Sequence, residues 1–397
     1  MSVGSSGFRV VSHSDLGGCP DGMQVLRHGD ALYVGHYGKS GMGTTVLDVR
    51  DPERPQIVDQ WPAPPGTHTH KVQVADGLLL VNEERFQKAA DWTAGMVAYD
   101  VEEPLAPRRV GRFAGDGEGV HRIVWTGGRY AHASFTPEGE ADRIWGIFDL
   151  SDPTAPREAA RWRLDEEQPE GKRYAAHHAL AEGDVAYLGY GDAGLVALDV
   201  RDPVAPRTLW RLDWEGGGGT HTCLPLEGRG LVVVTDEQMT DGPHAPPRHV
   251  RVVDAHARRV AATIPSPAGD FDEQPSRFGP HNLHENRAGS YRSVELVFVT
   301  YFNAGLRVYD LRDPERPDEV ASWVPDQEAP QSNDLFVEAG GRVWVTDRFT
   351  GGLYCLEPEP ELAELMAARR AAASTWPSPG GGRAAGSSAP SGARPRA

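Results

Sequence analysis

Cysteine is nearly absent from this chain. Three residues, Cys19, Cys223 and Cys355, are spread over 397 positions, too few and too scattered for a disulfide framework or a thiolate zinc cluster, so reduced thiols are expected. No stretch approaches the roughly 18 apolar residues of a membrane helix. The opening MSVGSSGFRVVSHSDLGG lacks the basic region and apolar core of a secretory signal. A soluble, cytoplasmic protein with no membrane partner follows as the expectation. Cations are also short, with 40 Lys and Arg against 57 Asp and Glu and a net charge of −17. Nucleic acid and anionic lipid both reward basic patches, which argues against them and leaves a small molecule as the expected partner. Nucleotide and hydrolase signatures are missing too. There is no GxSxG, P-loop or dinucleotide fingerprint, and the glycine run 216–219 has no Lys-Ser/Thr after it. Oligomeric state is left open.

What the chain has in quantity is turn formers, 46 Gly and 32 Pro, and an internal repeat. An alternating apolar run ends in Asp and is followed by a turn with two prolines, as in TTVLDVRDPERPQIVDQW from Thr44, WGIFDLSDPTAPREAARW from Trp145 and LRVYDLRDPERPDEVASW from Leu306. The marker acids Asp48, Asp100, Asp149, Asp199, Asp254 and Asp310, with Glu357 as a degenerate last copy, recur about every fifty residues. Period-two alternation within each unit gives four short strands. Units of that kind at that spacing predict propeller blades. The last unit lacks its fourth strand, whereas the N-terminus has a strand without a unit, GFRVVSH from Gly7. The expected fold is therefore all-β: a seven-bladed β-propeller over residues 1–358, closed by the N-terminal strand. A short helix is expected over 359–375, where Leu362, Leu365 and Met366 have helical spacing, and a disordered tail over 376–397, which is rich in Gly, Pro, Ser, Ala and Arg.

The D-V-x-D-P-x-x-P segments and the G-L/M-x-V-x-D runs before them resemble the LVIVD repeat of bacterial propeller proteins, across roughly residues 7–357. The repeat style is distantly similar to the blades of the selenium-binding protein family, which includes methanethiol oxidases. That resemblance implies a propeller with copper held by histidines near its axis. It does not imply a substrate, and the Cys-rich N-terminal segment of that family has no counterpart here.

Five histidines open the first strand of successive units: His70 in THTHKVQV, His121 in GVHRIVW, His177 in AAHHAL, His221 in THTCLPL and His281 in GPHNLHEN. Radial units would bring them into one circle with Met23 and Asn333. Neutral imidazoles ligate iron, copper, zinc and other first-row metals, and three or four with an open position make a common catalytic centre. The alternative for any one of them is a turn residue hydrogen-bonding a wet channel. The five are read as the metal ligands, with copper or iron favoured through the resemblance and zinc or manganese as further options. His178 is expected to turn away and pack between blades. Strand-two residues Glu83, His132, Tyr190, Asp236, Glu237, Tyr301 and Asp347 should return beside the circle. Glu83 is the candidate general base, and His284, with His68, a candidate for proton transfer or substrate contact. The function expected is a metal-dependent oxidoreductase acting on a small molecule. A lyase or hydrolase using the ion as Lewis acid, or a non-catalytic binding scaffold, are the alternatives.

Overall fold

The computed structural model describes residues 6–85, 92–243, 245–287 and 289–371. The repeat motif explains itself at the level of single hydrogen bonds. Each marker Asp ends the third strand of its unit and accepts the backbone N–H two residues on: Asp48 from Arg50 at 3.0 Å, Asp149 from Ser151 at 2.9 Å, Asp199 from Arg201 at 3.1 Å, Asp254 from His256 at 3.0 Å and Asp310 from Arg312 at 2.9 Å. In the clearest copies the second Asp repeats the device, as Asp51 does for Glu53 and Asp313 for Glu315, both at 3.1 Å. These are Asx turns, which satisfy backbone donors in a chain reversal. Two of them in succession carry the polypeptide from the third strand to the fourth.

The strands form antiparallel units in chain order, and these pack radially as blades of a β-propeller. Blade 1 consists of Gly22–His28, Ala31–His36, Met42–Asp48 and Gln56–Pro62. Blade 2 runs from Val72–Ala75 to Arg108–Ala114, and blade 3 from Gly119–Val124 to Arg157–Trp162. These two are fused into one sheet by the pairing of Gly119 with Glu84. Blade 4 begins at Ala179–Glu182 and blade 5 at Thr220–Leu226. Blade 6 differs from expectation: its regular strands are Leu296–Thr300, Leu306–Asp310 and Asp318–Trp323, and its innermost strand shrinks to an isolated bridge between Leu283 and Val299. Pro280 and the long irregular segment around it do not sustain a ladder.

Blade 7 closes the ring. Ser332–Val337, Val343–Asp347 and Gly352–Pro358 are completed by Phe8–Ser14, which pairs antiparallel with the last of them. Blade 7 in turn packs on blade 1, where Phe336, Trp344 and Cys355 share a core with Val25, Leu26 and Tyr33. The helix Pro360–Ala368 packs on the other side of blade 7. Leu362 and Met366 are buried with Phe8 in the core that joins blades 6 and 7, and Tyr291 donates to the Met366 carbonyl at 2.8 Å. The expectation of disorder over 376–397 falls outside the described residues. No helix among the described residues is long and apolar enough to cross a membrane.

Removal of residues 1–14 should abolish cooperative thermal unfolding, because it opens the ring and exposes the edge Gly352–Pro358. Phe8→Ala should reduce the unfolding free energy by about 3 kcal/mol, from lost burial and a residual cavity. Denaturant titration checks both, and a truncated chain that melts like the parent would refute closure by this strand.

Candidate metal centre

The innermost strands run side by side around the axis, and the histidines near their N-terminal ends meet. Neighbouring rings follow one another with centroid separations of 5.0 Å for His70 and His121, 4.9 Å for His121 and His177, 3.6 Å for His177 and His221 and 4.5 Å for His221 and His281. His68 joins them, 4.0 Å from His70, because Thr67–His68 forms a two-residue strand on Glu84 and Arg85. Two glycines make the close packing possible. A Cβ at Gly35 would stand 2.7 Å from the His70 carbonyl carbon, and one at Gly189 would stand 2.4 Å from the His221 oxygen.

A β-bulge coincides with the circle in most innermost strands. Pairing with the second strand slips between Gly22 and Val25, between Val120 and Arg122, between Thr220 and Cys223, and between Ser332 and Asp334. A bulge places two consecutive residues where regular pleating would place one, so both the histidine and its successor can turn to the channel. His178 is accordingly not packed between blades. It is fully buried in the channel, with Nδ1 3.3 Å from the Thr222 hydroxyl and Nε2 3.2 Å from Glu285.

In blades 2, 5, 6 and 7 the strand-two residue that reaches the circle is the one after Glu83, Asp236, Tyr301 or Asp347. Glu83 turns outward to Arg112, which donates from Nε at 2.7 Å. Its neighbour Glu84 faces inward, 2.6 Å from His68 Nε2 and 2.8 Å from His121 Nδ1. In blade 5, Asp236 is occupied by Arg251, Trp214 and Thr220. Glu237 is the inward residue, 3.8 Å from His221 Nε2 and 3.5 Å from His281 Nε2. Tyr301 and Asp347 likewise give way to Phe302, stacked on His281 at 4.7 Å, and Arg348, 4.0 Å from Glu237. The structure does not bring His284 to the circle. It lies between blades 6 and 7 against Phe298 and Phe336, with Nε2 2.9 Å from the Tyr291 carbonyl and Nδ1 accepting from Val337 N–H. His132 and Tyr190 are also elsewhere, stacked on Trp145 and bonded to Leu164 N–H respectively.

Among the described residues, two groups have ligand atoms close enough to share an ion: His68, His70 and Glu84, and His177, His221 and Glu237. Their hydrogen bonds separate them. In the first, Glu84 is already shared by His68 and His121, and His70 Nδ1 faces the Asn82 amide nitrogen at 3.2 Å. The Asn82 carbonyl oxygen is fixed by Lys71 N–H at 2.7 Å. The amide therefore donates, and the neutral His70 ring keeps its proton on Nε2. In the second group, His221 Nδ1 pairs with the Thr222 hydroxyl at 2.8 Å and Nε2 has no hydrogen-bond partner among the described residues, nor has His177 Nδ1. His281 Nδ1 donates to the Asn333 carbonyl at 2.7 Å, leaving a lone pair on Nε2 beside Glu237. Glu84 does the same for His121, whose Nε2 lies 3.1 Å from His177 Nε2. A hydrogen bond to the far nitrogen is how metal-binding imidazoles are usually oriented.

Burial, reinforced by neighbouring cations and imidazoles, holds His70, His177, His221 and His281 well below the ordinary imidazole range, and His121 at about 3. These rings are neutral, the form that ligates. For Glu84 burial acts upward, but contact with His121 and His68 outweighs it and keeps the carboxyl ionised.

Beneath the circle the next residues along form an ionic belt. Arg122, 1% exposed at its side chain, donates to Glu285 at 2.9 Å and lies 3.8 Å from Asp334. Lys71, His178 and Arg287 are buried in the same layer. Sequence inspection missed Lys71 and Arg122 because each lies one residue beyond a marker histidine. The available signal was charge in an apolar strand, as in HKVQV and HRIVW.

Among solved structures, the WD40 β-propeller domain of Doa1 aligns with a TM-score of 0.58 over 89% of this chain and 98% of that domain, at 8% identity. The computationally designed Ika8 protein aligns with a TM-score of 0.50 over 89% of this chain and 99% of that one, at 10% identity. No family model matches the chain, and no curated protein sequence does. The chain is thus a β-propeller by fold. The LVIVD and selenium-binding likeness rests on the repeats alone, and what distinguishes the molecule is the pair of His/Glu groups on its axis.

Arg122→Met should destabilise the fold by about 3–5 kcal/mol, because it removes the hydrogen-bonded cation of the buried Glu285 carboxylate. Adding Glu285→Gln should restore part of that loss. Equal stability of all three proteins in denaturant titrations would show that the belt is solvated and energetically idle.

Proposed function

We propose that the chain binds one first-row transition metal through His177, His221 and Glu237, with His281 alongside, and acts as a metal-dependent oxidoreductase on a small molecule. The observation that carries this reading is the ligand set: two neutral imidazoles and one carboxylate whose ligand atoms all lie within 4.8 Å of one another. Two histidines and one carboxylate on one face, with other positions open, is the set of non-haem iron(II) oxygenases. A carboxylate in the set favours iron over the copper that the selenium-binding likeness would bring. His221 Nε2 and His177 Nδ1, buried without a hydrogen-bond partner among the described residues, are the atoms that fit an ion. Iron bound here would supply electron transfer and oxygen activation.

The chain's own groups have separable duties around that centre. Glu84 and the Asn333 carbonyl fix the orientation of His121 and His281. Arg277, 3.6 Å from Glu237, and Arg348, 4.0 Å from it, put positive charge beside the carboxylate, which suits a substrate with an anionic group. A Lewis-acid lyase or hydrolase is the second reading. It is favoured by the same open positions, with Glu84 as the nearest further carboxylate. A cytoplasmic location would supply the reduced iron.

Protein prepared without a histidine tag and reconstituted anaerobically with iron(II) should hold one equivalent. His221→Ala and Glu237→Ala should each weaken retention at least about tenfold and leave the melting curve cooperative. Glu83→Gln, whose side chain faces away, should not change iron content. Nitric oxide added to the iron(II) protein should give a paramagnetic signal that zinc substitution removes. Less than about a tenth of an equivalent of iron, copper or zinc after reconstitution would reject a metal centre.

A further inference from the structure

The channel has a second end. The innermost strands carry histidines at one end, and the far end opens into a cavity of about 480 Å³ between blades 2 to 5 and the segment after His281. His121 and the cavity residue Trp125 are four positions apart on one strand, roughly 13 Å at 3.3 Å per residue, and the ionic belt lies between them. The cavity therefore does not belong to the metal centre. Its volume is in the usual range for small-molecule sites, about 300–1,000 Å³.

Its walls are apolar, with Val124, Trp125, Leu180 and Leu224 among them. The acids that line it are already engaged. Asp76 accepts from Gly128 N–H at 2.6 Å, Glu227 pairs with Arg292 at 3.0 Å, and Glu285 is held by Arg122 at 2.9 Å and His178 at 3.2 Å and lies 3.8 Å from Arg287 Nε. Arg287 in the wall still has donor capacity. Arg287 is 8% exposed and gives Nη2 to the Trp125 carbonyl, but its Nη1 has no hydrogen-bond acceptor among the described residues. A buried guanidinium nitrogen without an acceptor is costly. The Arg287 side chain borders the cavity, and a charged ligand oxygen seated against its guanidinium would supply a charge-assisted hydrogen bond.

We propose that this cavity is a second binding site, for a small organic anion with an apolar body, of the class of medium-chain carboxylates. The carboxylate meets Arg287 at the floor, and the chain lies along Trp125, Leu180 and Leu224. The site is independent of the metal centre and should bind its ligand equally in the metal-free and metal-loaded protein.

Octanoate and 1-octanol, which share a body and differ in the charged head, are the probes, followed by isothermal titration and by saturation-transfer NMR. One octanoate should bind per chain, with octanol at least about tenfold weaker, as expected for loss of a charge-assisted pair. Arg287→Met should remove that preference. Ala181→Trp, which fills the cavity from the strand Ala179–Glu182 without touching the ionic belt, should weaken octanoate by a similar factor even if the arginine variant fails to fold. Equal affinity for octanoate and octanol, unchanged binding in Ala181→Trp, or no saturable binding of octanoate would each overturn the proposal.

Discussion

Everything on the axis depends on one pairing, that of Phe8–Ser14 with Gly352–Pro358. A radial array of sheets has no core of its own; each blade buries its faces only against its two neighbours. While the seam is shut every blade has both, and the innermost strands are held at a fixed radius. The helix Pro360–Ala368 reinforces the seam from outside by burying Leu362 and Met366 in the core that includes Phe8. Residues separated by most of the chain thereby set the spacing of imidazoles on the far side of the ring.

The fold was legible in the sequence because its punctuation is local. An Asp that must accept the N–H two residues on, followed by prolines, recurs wherever the third strand ends, and it can be read without any tertiary contact. The reduced strand in blade 6 was less legible: the sequence around His281 has the same histidine and apolar residues, and only the length of the following loop signals that no ladder forms.

The site was legible to within one residue on strand two. The five histidines were visible as a repeated feature. Of their partners Glu237 was visible and Glu84 was not, since alternation along a regular strand selects Glu83 and the structure turns its neighbour inward. Bulges have no reliable sequence mark, because they arise from how two strands are fitted together. His284 was misplaced for a related reason: proximity in sequence to His281 does not survive an irregular segment, and three residues on, the chain has already left the axis for the interface with blade 7. The His68 position needed a two-residue strand that only the extension of Leu78–Arg85 makes possible.

The ionic belt gives the channel a polarity that neither mouth has alone. Between the histidines and the cavity lie Lys71 and Arg122, both buried, with the carboxylates of Glu285 and Asp334 beside Arg122. Packed charged side chains thus occupy the axis at that depth, and the propeller has the form of a cup with a floor, not of a pore. An ion held as proposed would exchange through the face bearing Arg277 and Arg348. The rate at which a chelator would strip it is then a property of that rim, and the opposite face is free to serve a different chemistry without disturbing it.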